Sequence, residues 1–131
     1  MKKALIAYIS TLLVVLVLDA LWLGVLMGPT YKQMLGSLMR DKPLLAPAAV
    51  FYLLYALGVV VLAVWPGVTA GSVWRGLGYG AMLGLIAYGT YDLSNWATLV
   101  GWPPLLVFID IFWGVVLTAL AAAVGVWAAN R

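Results

Sequence analysis

Residues 4–27 read ALIAYISTLLVVLVLDALWLGVLM, an apolar run interrupted by one charged residue, Asp19, and not stopped until Gly28-Pro29. At 1.5 Å per residue, about 20 residues cross a hydrocarbon core about 30 Å thick, so the stretch predicts a membrane-spanning helix. It is too long and too evenly apolar for a barrel strand, and an open strand would leave backbone groups unpaired in lipid. Lys2 and Lys3 stand ahead of it as they do in a signal peptide. A signal core, however, is only about 7–15 residues, and no small-residue cleavage site precedes Pro29, so the span reads as retained. Working outward, residues 46–65, 76–100 and 105–129 repeat the pattern, separated by Pro43 to Pro47, Pro66-Gly67 and Gly101-Trp102-Pro103-Pro104. Residues 1–131 are expected to form a single transmembrane domain, an all-α integral membrane four-helix bundle.

Composition agrees: 66% of the 131 residues are hydrophobic and 8% charged, against about a quarter charged in soluble proteins. With no Cys and no His, disulfide frameworks, zinc sites, haem ligands, thiol nucleophiles and His-based triads drop out, and no metal site is expected. The seven basic residues, Lys2, Lys3, Lys32, Arg40, Lys42, Arg75 and Arg131, all lie at the ends of apolar runs or between them. That is where headgroup anchors belong, whereas nucleic-acid binding would need a basic stripe, so no nucleic acid is expected as a partner. Lys2, Lys3, Arg75 and Arg131 outnumber the basic residues of the other side by one, which points both termini to the cytoplasm.

The connection over residues 28–45 has room for structure of its own. Tyr31, Met34, Leu35, Leu38 and Met39 recur at helical spacing opposite Lys32, Gln33 and Arg40, which predicts a short helix lying in the interface. In the third span Gly76, Gly80 and Gly84 line one helix face, and Ala121 and Gly125 make a similar step in the fourth. Small residues let helices approach closely in lipid, so these faces are expected to pack within the bundle or to form the seam of a homodimer. The glycines do not meet the G-x-G-x-x-G spacing and follow no strand, so a phosphate cradle is not expected.

The anomaly is the acids. Of four, only Asp41 lies in a loop, while Asp19, Asp92 and Asp110 fall inside predicted spans. Each would cost about 2.5–3.5 kcal/mol at the centre of a membrane helix, so something must offset them. Counting to the nearest helix end puts Asp19 and Asp92 roughly 12 Å deep and Asp110 roughly 8 Å, all in the leaflet away from the termini. Trp22 and Trp113 follow their acids by three, Tyr88, Asn95 and Trp96 surround Asp92, and Tyr52 and Tyr55 enter at the same depth. The expected ligand-binding residues are therefore Asp19, Trp22, Tyr52, Tyr55, Tyr88, Tyr91, Asp92, Asn95, Trp96, Asp110 and Trp113. With no buried base, neutralisation has to come from protons, a bound cation or water.

The stretches at 18–24, 51–58, 88–99 and 109–114 (LDALWLG, FYLLYALG, YGTYDLSNWATL and IDIFWG) resemble the domain of unknown function 2177 family of small bacterial four-helix membrane proteins. The resemblance spans nearly the whole chain and rests on Asp19, Trp22, Tyr52, Tyr55, Tyr91, Asp92, Asn95, Asp110, Trp113 and Gly114. It implies an inner-membrane protein and brings no activity, cofactor or catalytic residue with it.

The acid and aromatic cluster reads first as a site for binding or transporting a small cation, a proton-coupled solute or a lipid-like molecule. The competing readings are an intramembrane enzyme acting on lipid or isoprenoid, with the acids as general acid and base or as oxygen ligands, and a structural subunit of a membrane complex. Expected partners are the lipid bilayer, a small-molecule or lipid ligand and a second copy of the chain.

Overall fold

A computed structural model describes residues 1–131. The chain is helical throughout: α1 (Lys2–Leu21), α2 (Gly28–Leu35), α3 (Leu45–Val59), α4 (Trp65–Ala70), α5 (Val73–Thr98) and α6 (Pro104–Ala129). Two wider π-helical turns, Trp22–Leu26 and Val60–Val64, prolong α1 and join α3 to α4, and Gly36–Leu38 adds a 3-10 turn after α2. Three rods, Lys2–Leu26, Leu45–Ala70 and Pro104–Ala129, are long and apolar enough to cross a membrane. The helix α5 is as long as α6, but its tyrosines, Thr90, Asp92, Ser94 and Asn95 make it the least apolar of the long helices.

Pro66 does not end the second rod at Trp65, as its sequence suggests. A proline lacks an N–H and clashes with the carbonyl four residues back. Here the π turn at Val60–Val64 widens the helix just ahead, and Pro66 sits in the first turn of α4, where no N–H is required. The rod ends at Gly71, whose left-handed conformation (φ 64°) closes it. Pro29 likewise occupies the first turn of α2, immediately after the π turn of the first rod. Gly28 is indispensable at that junction, because a Cβ would lie 2.2 Å from the Leu23 carbonyl oxygen. The expected helix in the first connection exists but is shorter than its periodicity implies: Met39 is already extended.

The central element is α6. It carries 11 of the 29 buried positions, more than any other helix, and packs most extensively on α5 and next on α1. The α5–α6 contact explains the glycine spacing. A Cβ on Gly84 would stand 2.2 Å from the Gly114 carbonyl oxygen, one on Gly80 2.6 Å from that of Thr118, and one on Gly76 2.5 Å from Val126 Cγ2. Gly125 is closed off in the same way by Thr11 and Val64. Both small-residue faces are thus occupied inside the chain, and a dimer has to use another surface.

Only 29 of 131 residues are buried, and Leu5, Leu13, Val17, Leu54, Leu62, Ile86 and Phe112 are among the many large apolar side chains facing outward. In water such a surface would aggregate; among acyl chains it is solvated. Gly84→Ala is expected to separate α5 from α6 and to lower the midpoint of thermal unfolding in detergent by several degrees. Gly78→Ala, which meets nothing within 4 Å, is expected to leave the midpoint unchanged or raise it. Circular dichroism melts of the two variants check this directly.

Candidate functional site

Two helices present the same local pattern to each other. Asp19 and Trp22 lie three apart at the end of α1 and the start of its π turn, and Asp110 and Trp113 lie three apart on α6. Residues at that spacing share a helix face. Because α1 packs on α6, the two indoles meet and stack, with ring centroids 4.3 Å apart and planes 4° from parallel.

The hydrogen bonds then cross between the helices. Trp113 Nε1 donates to Asp19 Oδ1 at 3.0 Å. Trp22 Nε1 does not reach Asp110 directly; it donates to the Tyr31 hydroxyl at 2.6 Å, and that hydroxyl donates to Asp110 Oδ1 at 2.6 Å. Tyr52, from α3, donates to the second oxygen of Asp19. Burial first, and then the bond to Asp110, push the Tyr31 phenol above its ordinary value, so it remains an O–H donor at physiological pH.

The three acids therefore stand in three different states of satisfaction. Asp19, 7% exposed, has a donor on each oxygen. Asp110 is half-buried and has a donor on Oδ1 alone. Asp92 is fully buried and neither of its oxygens has a partner. Its polar neighbours are Asp110 and the indole of Trp102, whose Nε1 is also buried without a partner.

Between these groups lies a cavity of about 480 Å³, a size typical of small-molecule sites. Of the residues expected from the sequence, Asp19, Trp22, Tyr55, Tyr88, Tyr91, Asp110 and Trp113 line it. Tyr52 and Asp92 stand behind the wall, the first bonded to Asp19 and the second beside Asp110. Gly114 seats the Tyr88 ring, since a Cβ there would fall 2.2 Å from Tyr88 Cγ. Tyr55 is fixed by a 2.6 Å hydrogen bond with Thr118 Oγ1.

Asn95 and Trp96 are not part of the lining. Trp96 follows Tyr91 by five residues, which at about 100° each places it about 140° around the helix. It is exposed and meets the edge of Phe108 instead. Asn95 lies one turn beyond Tyr91, near the C-terminal end of α5, and makes no side-chain hydrogen bond.

Sequence reasoning missed Tyr31 and Trp102. The signal for Tyr31 was present: it is the only residue on the apolar face of the first connection that carries a hydroxyl. Trp102 lies between Gly101 (φ 83°) and Pro103, in a turn whose backbone is tightly specified. It meets Tyr91 edge to face at 5.8 Å. Leu23, Leu35, Phe51 and Leu106 add the apolar part of the wall.

Tyr31→Phe should leave the Trp22 indole N–H without an acceptor and Asp110 without its donor, at a cost of about 1–3 kcal/mol. The same change at Tyr79, exposed and without a hydrogen bond through its hydroxyl, should cost nothing measurable. Denaturant unfolding of both variants in the same detergent makes the comparison.

A family model described as Predicted membrane protein (DUF2177) matches residues 4–127. No curated protein and no solved structure matches the chain.

Proposed function

The chain belongs to this family of predicted membrane proteins, and on that footing we propose that it crosses the bacterial inner membrane four times and binds or transports a small molecule through its acid-lined cavity. In this reading α5 is the fourth span. Its polar residues are tolerated because Asp92 is buried against the other helices, as intramembrane acids usually are. Both termini lie in the cytoplasm, α2 lies at the opposite interface, and the cavity occupies the leaflet away from the termini. The ligand is a small cation, a proton-coupled solute or a lipid-like molecule.

The observation that carries this reading is the cavity wall itself. Two carboxyls from different helices face a space of about 480 Å³ whose other lining residues are almost all apolar or aromatic. A group of acids needed only to hold helices together has no reason to enclose a hollow; direct packing would satisfy it better. The lining contains no Lys, Arg or His, so a phosphate-bearing lipid head would find no charged partner in it, whereas a cation would.

Native mass spectrometry of protein released from membranes is expected to show a bound small molecule. Ala87→Trp, which builds into the lining, should abolish that adduct while helicity stays unchanged. Retention of the adduct in Ala87→Trp would place the ligand elsewhere and overturn the assignment of this cavity.

A further inference from the structure

We infer that the end of the cavity lined by Asp110 and Trp102, with Asp92 behind Asp110, recognises a protonated amine bearing at least one N–H on an apolar body. The inference rests on the binding role proposed for the cavity and names the class of ligand.

The argument begins with which polar atoms lack partners. Asp19 is complete, with a donor on each oxygen. Asp110 faces the cavity with Oδ2 unbonded. Behind it Asp92 is fully buried with two unbonded oxygens, and the Trp102 indole N–H, on the cavity wall and 9% exposed, is unbonded as well. Buried polar groups in folded proteins are nearly always paired, and an unpaired one marks a place where something else binds. Asp110 presents its open oxygen to the cavity with the Asp92 carboxyl standing against it, and a protonated amine supplies both the missing donor and the opposing charge.

The aromatic residues decide between an amine with N–H groups and a quaternary ammonium. A quaternary head is held by free aromatic faces forming a cage. Here the Trp22 and Trp113 faces cover each other. Tyr55 stacks on Phe51 and meets Tyr88 edge on, and Tyr91 meets Trp102 at 89°. The rings pair with one another rather than forming a cage round one point, and the open carboxyl oxygen of Asp110 is the polar group that faces the space. The apolar body of the ligand lies against Leu23, Leu35 and Leu106, which line the same space.

The test uses three probes of one shape: protonated 2-phenylethylamine, its N,N,N-trimethyl derivative and the neutral 2-phenylethanol. Each is titrated calorimetrically at pH 7 into the full-length protein in nanodiscs of zwitterionic lipid. The amine is expected to bind at least tenfold tighter than either analogue. Asp110→Asn and Asp92→Asn should each erase that preference, whereas Asp41→Asn, in the exposed connection, should keep it. Equal binding of all three probes would sink the inference while leaving the cavity's binding role standing, as would a preference that survives both substitutions. Absence of binding by all three probes would also sink the inference, and the cavity's binding role would still be decided by the native adduct and its loss in Ala87→Trp. The wild-type comparison holds even if Asp92→Asn fails to fold, because it needs no variant.

Discussion

One buried carboxylate ties three helices together. Asp19, on α1, accepts hydrogen bonds from Tyr52 on α3 and Trp113 on α6. In lipid there is no hydrophobic drive between two apolar surfaces, so helix association depends on close packing and interhelical hydrogen bonds. The α5–α6 pair uses close packing, through Gly76, Gly80 and Gly84. The arrangement of α1, α3 and α6 around the cavity uses Asp19. A buried carboxyl without partners is costly; with a donor on each oxygen Asp19 becomes the fixed point that orients the surrounding indoles.

The rest of the site follows from a near-symmetry that is broken. Both α1 and α6 present an acid followed by a tryptophan three residues later, and the two indoles stack at the centre. A fully symmetric arrangement would join Trp22 to Asp110 as Trp113 is joined to Asp19. Tyr31 enters from α2 and takes that place as an intermediary. The exchange leaves Asp110 with an open oxygen toward the cavity and keeps Asp92 bare behind it. One acid therefore serves the architecture, while Asp110 forms the chemically incomplete end of the hollow with Asp92 behind it. The link through Tyr31 also connects the first connection of the chain to the cavity.

Much of this was legible in the sequence because membrane helices obey few rules. Uninterrupted apolar length placed the rods to within a few residues, and the i, i+3 spacing put each tryptophan on the face of its acid. The glycine stripe correctly foretold a close helix contact, though not which helix would fill it. Three features were not legible. The π turns at Trp22–Leu26 and Val60–Val64 let the chain carry prolines nearby without ending where the prolines suggest, and nothing in local composition announces a wider turn. The rotation of α5 sends Trp96 away from the cavity, a distinction of about 140° that depth counting alone ignores. Tyr31 and Trp102 lie outside the apolar spans, and only the folding of the connections onto the cavity wall gives them a role.

The central claim is that Asp19 couples to its donors across helices, and a double-mutant cycle measures this most directly. Unfolding free energies of wild type, Asp19→Ala, Trp113→Phe and the double variant, taken in one detergent, should show a coupling of about 1.5–3 kcal/mol, the size of a hydrogen bond to a charged group. Additivity of the two single changes to within about 0.5 kcal/mol would mean that the carboxylate and the indole act independently, and would contradict the account.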